Sequence, residues 1–288
     1  MDRDTPAWAL VEGGEVRAAR NAGLRVPWWS FTKTVIAATV LRLAELGEID
    51  LDSEVPGAGA SYWRVLGHTS GLPDYGGVPA YHQAVEDGDP PWPFDRVLEE
   101  VRRFGRPVPA WSYSNIGYGY LVQYLARRRG SLGAALAGLV LEPLGVRDAR
   151  LAVEPGDLAE VQMGTNRGYH PGWVYHGLLT GPVSSAALWL ERLGSGGLLG
   201  AGSLDAMKRS TDLPHYIRAP WSSTSYGLGV MTPCLKDGVP VFGHTGGGPG
   251  SGVAVYRRDD LGLTAAVFCL DGEGPGPEFL AAGLLSAD

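Results

Sequence analysis

Short, strand-like apolar runs bounded by turn residues lie near both ends of the chain, and apolar positions recur with a helical period between them. Residues 7–11 and 16–21 read as short strands on either side of Glu12-Gly13-Gly14-Glu15, the signature of a hairpin. Pro27 cannot sit inside a helix, so the chain turns an extended corner there. From Ser30 a helix follows, ended by Gly47 in the left-handed manner. Val35, Ile36, Ala37, Ala38, Val40, Leu41 and Leu43 make it apolar nearly all round, which predicts a buried helix. Residues 48–52 alternate polar and apolar and read as a short strand or extended segment.

Beyond Pro56 the pattern changes. Loops rich in Gly, Pro and Trp separate three helical patterns, over residues 94–104 (capped near Asp95), 115–129 and 131–141, with little strand signal. After Gly181 a helix is expected over 184–193, capped by Ser184 or Ser185, and another over 204–208. Strand patterns follow at 225–232, 239–245, 252–257 and 263–270, joined by short turn-like links that imply antiparallel neighbours. A closing helix covers 278–285. The expected architecture is α+β. Residues 1–56 with 181–288 form an antiparallel sheet flanked by helices on both faces, the Ser30 helix on one and the terminal helices on the other. Residues 57–180 form an inserted, mainly helical, loop-rich subdomain.

Composition narrows the function classes. Of 288 residues 44% are hydrophobic and 19% charged, a globular balance with length enough for a substantial core. The net charge of −7 and the lack of a basic cluster argue against nucleic acid as a partner. The run Arg127-Arg128-Arg129 sits where cations favour a helix C-terminus. Cys234 and Cys269 are too few for a disulfide framework and read as buried thiols. With no C-x-x-C or H-E-x-x-H, no metal and no other cofactor is expected. There is no signal-peptide pattern and no membrane-length apolar run, so the expected setting is cytoplasmic, or periplasmic if a leader has been trimmed. Oligomeric state is not legible.

Three motifs carry candidate chemistry. Ser30 and Lys33, three residues apart, share one helix face. A serine hydroxyl needs a base, and a lysine kept neutral by burial can serve. S-x-x-K alone is weak: about one copy arises by chance in a chain of this length, and an N-cap serine beside a solvated lysine has the same spelling. In Trp111-Ser112-Tyr113-Ser114-Asn115, a tyrosine and an asparagine precede a helix. Tyr113 relays a proton if a neighbouring lysine charge lowers its pKa. Asn115 offers an amide for both Lys33 and a substrate carbonyl. The same residues also read as a surface aromatic beside an N-cap. In Phe242-Gly243-His244-Thr245-Gly246-Gly247-Gly248, a strand delivers His244 and Thr245, and glycines then let a ligand approach the backbone. A glycine-rich hairpin with a structural histidine is the alternative.

In this order and spacing, S-x-x-K, Y-x-N and H-T-G resemble the serine penicillin-recognising family: class C β-lactamases, the related DD-peptidases and the esterases that share their fold. Leu66-Gly67-His68-Thr69-Ser70-Gly71-Leu72 is similar to a loop common in that group, and Tyr226-Gly227-Leu228-Gly229 to the strand before its third motif. The resemblance implies a β-lactamase/transpeptidase-like fold. It also implies Ser30 as the acylated nucleophile, Lys33 as its proton-transfer partner and Tyr113 as general base. Asn115, His244 and Thr245 would bind substrate, with the backbone N–H groups of Ser30 and Gly247 as oxyanion hole. His68 is expected to be structural.

His244 stands where lactamases often carry lysine, which removes a permanent charge for a substrate carboxylate. The expected function is therefore a serine hydrolase acting on a small ester, amide or D-amino-acid peptide. The alternatives are a dedicated class C-type β-lactamase and a non-catalytic binding protein that keeps the fold. Trp92, Trp111, Trp173, Tyr175 and Trp221 are candidates to line an acyl pocket.

Overall fold

The computed structural model describes residues 6–105, 108–164, 168–272 and 274–286. In chain order the strands are β1 (Ala7–Glu12), β2 (Glu15–Arg20), β3 (Arg25–Pro27), β4 (Arg150–Ala152), β5 (Leu178–Pro182), β6 (Thr211–Asp212), β7 (Ser225–Tyr226), β8 (Phe242–Gly248), β9 (Ser251–Arg258) and β10 (Leu263–Leu270). The helices are α1 (Thr32–Glu45), α2 (Tyr62–Leu66), α3 (Pro79–Glu86), α4 (Phe94–Phe104), α5 (Asn115–Arg129), α6 (Leu132–Leu136), α7 (Val183–Gly194), α8 (Ala201–Lys208) and α9 (Pro277–Ser286).

The main sheet runs β2-β1-β10-β9-β8, antiparallel throughout, so the first hairpin of the chain pairs with its last strand. Gly13 and Gly14 turn that hairpin at φ +59° and +83°, as a two-residue primed turn requires. Alternation then sorts the two faces. Ala9, Val11, Val253, Val255, Ala266 and Phe268 join the larger core, where α7 lies on β1, β9 and β10. Ala254, Tyr256, Ala265 and Val267 face the other way and pack with Ala281 and Leu285 of α9.

Helices therefore flank the antiparallel sheet on both faces, but with different partners from those expected. α7, not the Ser30 helix, lies on the inner face, and a single terminal helix lies on the outer one. Helix α1 is buried from Thr32 through Leu41 and packs against α5, α6 and α8. It meets the sheet through the 3₁₀ turn Trp29–Phe31, which rests on β8 and β9. An all-round apolar helix fits this central position better than one face of a sheet.

Other differences are local. Residues 48–52 make a turn in which Asp50 caps the Asp52 N–H and accepts from Ser53. The 131–141 pattern splits into α6, capped by Ser131, and a π-type turn Ala137–Leu141. Ser184 and Ser185 do not cap α7; their hydroxyls reach Ala22 O and Asp148, and Pro182 stands at the cap position. Strand β5 pairs with β3 and β4 in a small sheet not evident from the pattern. Of the 225–232 stretch only Ser225–Tyr226 is strand. The rest is a loop turned by Gly229, and Met231 bridges Gly243 on the outer edge of β8.

That loop fixes α1. The Gly229 carbonyl accepts from Thr34 Oγ1 at 2.8 Å, and its φ is +72°. A Cβ there would stand 2.3 Å from Ala37 Cβ. Gly229→Ala is expected to cost about 3 kcal/mol through overpacking and a left-handed backbone, read as a lower denaturant midpoint. An unchanged midpoint would mean that the loop does not brace α1.

Candidate active site

Ser30 lies in the turn just before α1, held from behind by β5: Trp28 N–H bonds Leu179 O at 2.8 Å and Leu179 N–H bonds Thr32 Oγ1 at 3.2 Å. Trp29 adopts φ +39°, a conformation that costs energy for a non-glycine residue. Its ring is nevertheless fixed: Nε1 donates to Ser251 Oγ at 3.1 Å and the indole lies across Gly248, where a Cβ would be 2.4 Å away. Burial of the indole holds the turn that points Ser30 into the cleft.

One turn on, Lys33 is fully buried, with Nζ 3.1 Å from Ser30 Oγ. Burial drives its pKa well below the usual lysine range, and the negative charge of Asp74 opposes this without cancelling it. The ammonium position is 5.0 Å from the Tyr113 ring centre and 5.7 Å from that of Tyr118. A neutral amine at this distance can accept the serine proton.

The Tyr113 hydroxyl bonds Ser30. Burial pushes its pKa up, the bond to Ser30 pulls it down, and Asp74 pushes it up again; the net shift is upward. This corrects the expectation of a phenol acidified by a lysine charge. The Lys33 charge is not among the causes that act on the phenol, and Tyr113 rests protonated. His68 places it. Ser112 N–H bonds His68 O at 3.0 Å, Ser114 N–H bonds His68 Nδ1 at 3.1 Å, and the imidazole lies 4.3 Å from the Tyr113 ring. His68 itself sits at φ +59°.

Asn115 opens α5 beside the cleft. Its backbone N–H and its side-chain amide donate to Asp74 at 2.7 and 3.4 Å, while Oδ1 is buried without a partner. The expected bridge from Asn115 to Lys33 is thus replaced by a brace to Asp74. Sequence reasoning passed over Asp74, an acidic residue following the Thr69-Ser70-Gly71-Leu72-Pro73 loop.

Strand β8 forms the opposite wall. It is an edge strand, and the Gly243 N–H and C=O both bond Met231, away from β9. By antiparallel alternation the peptide groups of Thr245 and Gly247 face the same open edge. Gly246 sits against the nucleophile turn, where a Cβ would be 2.5 Å from Ser30 N, whereas Gly247 has open space. The N–H groups of Ser30 and Gly247 therefore adjoin one cleft.

His244 does not line that cleft, which corrects its expected contact with substrate. Its Nδ1–H donates to Thr245 O at 2.6 Å, and Nε2 accepts from Tyr226 O–H at 3.0 Å. Burial lowers its pKa to about 3, helped by Lys33, so it carries no charge. Thr245 does face the cleft.

Ser30 stands between two cavities. The larger, about 750 Å³, is bounded by Trp111, Tyr113, Trp221, Thr245 and Glu278. The smaller, about 220 Å³, is walled by Trp29, Tyr75, Tyr81, Trp173 and Tyr169, with Asn115 and His176 at its polar side. Of the five expected pocket aromatics, Trp111 and Trp221 line the first cavity and Trp173 the second. Trp92 packs behind Trp173 at 5.4 Å, and Tyr175 donates to Trp92 O.

The family model described as Beta-lactamase matches residues 2–284. Among solved structures the fold is similar to a D-stereospecific amidohydrolase from Streptomyces sp. (22% identity, 91% of this chain and 88% of that one, TM-score 0.76). It is also similar to the D-amino acid amidase from Ochrobactrum anthropi SV3 (21%, 97% and 92%, TM-score 0.76). A third likeness is to the octameric penicillin-binding protein homologue from Pyrococcus abyssi (20%, 98% and 72%, TM-score 0.75). At these identities the likeness to solved structures is one of fold.

Because the folded pKa of Lys33 is lowered, the unfolded chain binds the extra proton between that pKa and the ordinary lysine value, and stability rises with pH through this window. Lys33→Met removes the buried amine. Its Tm is expected to exceed that of the parent by roughly a few °C near neutral pH, with the gap closing as pH approaches the ordinary lysine range. A lower Tm at all pH values would mean that the buried amine is not a net cost to stability.

Proposed function

The chain belongs to the beta-lactamase family, and from that premise we propose that it is a serine hydrolase cleaving a small amide, ester or D-amino-acid peptide through an acyl-Ser30 intermediate. The observation that carries this reading is the fully buried Lys33 amine, its pKa driven well below the lysine range, 3.1 Å from Ser30 Oγ, with the Tyr113 hydroxyl on the same oxygen. A binding protein has no physical need for such a costly group.

Lys33 Nζ takes the Ser30 proton as Oγ bonds the substrate carbonyl carbon. The N–H groups of Ser30 and Gly247 receive the developing oxyanion. As the tetrahedral centre collapses, the bond to the leaving amine or alkoxide breaks. Tyr113 donates its proton to that group and is reprotonated from Lys33. Water then attacks the ester. Its proton passes through Tyr113 to Lys33, and Lys33 returns a proton to the departing Ser30 Oγ. Each group ends as it began.

An amide or ester substrate is favoured over dedicated β-lactam hydrolysis because His244 is neutral and hydrogen-bonded on both nitrogens, so it offers no fixed charge for a carboxylate. The names of two structural neighbours, an amidohydrolase and an amidase, agree with an amide. The aromatic walls and unpartnered Asn115 Oδ1 of the smaller cavity suit an apolar substituent with one N–H to donate.

Intact mass after incubation with a fluorophosphonate should show one adduct, absent in Ser30→Ala; benzylpenicillin tests β-lactam acylation separately. No fluorophosphonate adduct, or one that survives in Ser30→Ala, would contradict the assignment and favour a binding protein. Tyr113→Phe should slow turnover of nitrophenyl esters by roughly 10²–10⁴-fold; an unchanged rate would remove Tyr113 from proton transfer.

A further inference from the structure

The wall of the larger cavity carries a carboxylate that sequence reasoning left unassigned. Glu278, in the first turn of α9, accepts from Thr245 Oγ1 at 2.7 Å and from Trp221 Nε1 at 3.5 Å. Both bonds fall on Oε1, and Glu278 lines the cavity that Ser30 also lines. Among the described residues no cation makes an ion pair with Glu278.

A proton count fixes the polarity of this wall. A carboxylate only accepts, so the Thr245 hydroxyl proton is committed to Glu278. Tyr256 O–H lies 2.8 Å from Thr245 Oγ1 and 3.3 Å from Met231 Sδ; with the Thr245 proton on Glu278 and the thioether the weaker acceptor, Tyr256 donates to Thr245. Burial, and then the Glu278 charge, raise the Tyr256 pKa, so it keeps its proton. His244 is neutral and turned away. What remains facing the cavity is a set of acceptors: the Glu278 carboxylate and a lone pair of Thr245. A substrate carboxylate placed against Glu278 meets a negative charge and finds no free donor on Thr245 or Tyr256, whereas an ammonium there finds a carboxylate and a hydroxyl oxygen. Asp271 and Arg218 also line the cavity; both are exposed at its rim and their charges oppose each other, whereas Glu278 is half-buried and fixed by two hydrogen bonds.

We propose that Glu278, held in place by Thr245 and Trp221, is a specificity-determining residue that binds a primary ammonium group on the substrate, so that this enzyme selects amine-bearing amides, esters or short peptides over their carboxylate-bearing counterparts. This rests on the acyl-Ser30 reading above. Thr245 and Gly247 are two residues apart on β8, about 7 Å. The ammonium therefore lies within the reach of a substrate one to two residues long, laid along the open strand edge with its carbonyl at the Gly247 N–H.

The test compares kcat/KM for D-alanyl and glycyl-D-alanyl p-nitroanilides with their N-acetyl and N-succinyl forms, which present a cation, no charge and an anion. The free amines should be preferred over the succinyl forms by roughly 10–100-fold, the scale of a charge-assisted hydrogen bond, mainly through KM. The preference should shrink at high salt. In Glu278→Gln the ratio should fall towards one, and in Glu278→Lys it should invert. Fluorophosphonate labelling and the Tm of each variant establish that it is folded.

An equal or reversed preference in the wild type, or one that persists in folded Glu278→Gln, would overturn the ammonium site while leaving the hydrolase reading intact. A preference for the succinyl forms that Arg218→Gln abolishes would assign recognition of a substrate carboxylate to Arg218 instead and overturn it too. Failure of the wild type to be labelled or to turn over any substrate would count against the hydrolase reading itself.

Discussion

A lysine amine with no exposed surface, one helical turn from a serine, is the constraint on which the rest of this structure depends. Removing an ammonium from water costs several kcal/mol, and that cost drives the Lys33 pKa well below the ordinary lysine range. The buried base is thus a consequence of where α1 lies. α1 lies there because its apolar surface extends all round and because the Gly229 loop, α5, α6 and α8 enclose it. Packing and chemistry are here the same fact: whatever loosened the core around α1 would hydrate Lys33 and return its proton.

The same burial decides the state of the neighbours. His68, His244 and Tyr113 all shift towards their neutral forms, with desolvation as the first cause. The site is therefore a cluster of uncharged donors and acceptors set between two cavities, with Asp74 behind it and Glu278 at its far wall. In the proposed reaction charge appears at the oxyanion and on Lys33, and those positions would be met by backbone N–H groups and by aromatic faces. His68, with the hydrogen bonds that fix the loop before α5, keeps Tyr113 in register with Ser30.

Much of this was legible in the sequence. Short apolar runs bounded by turn residues located the strands of the main sheet, and the all-round apolar pattern after Ser30 marked a buried helix; the 48–52 alternation marked no strand. Three short motifs with the right order drew together residues 30, 113 and 244, which the fold brings to one cleft or its back wall. What was illegible is what depends on tertiary distance. The polarity of Tyr113 was misread because its expectation needed a charged Lys33, at odds with the amine kept neutral by burial that Ser30 needs, and only the extent of burial decides between them. His244 looked like a ligand because a strand residue before a glycine run has two possible sides, and its partner Tyr226 lies in a loop the pattern took for strand. Ser184 and Ser185 had the composition of helix caps, but Ala22 and Asp148 compete for their hydroxyls. Asp74 and Glu278 carried no local signal, since an acidic residue becomes part of a site only through what folds against it.

The central claim is that Lys33 is neutral while the protein is folded. The chain has three lysines, Lys33, Lys208 and Lys236, so NMR titration of ¹³C-labelled lysine side chains can follow each ε-methylene, with Lys33→Met identifying its signal. The account predicts that the Lys33 resonance keeps the shift of an uncharged amine at neutral pH and gains a proton only on acidification. A Lys33 signal that stays protonated until the pH reaches the ordinary lysine range would contradict it.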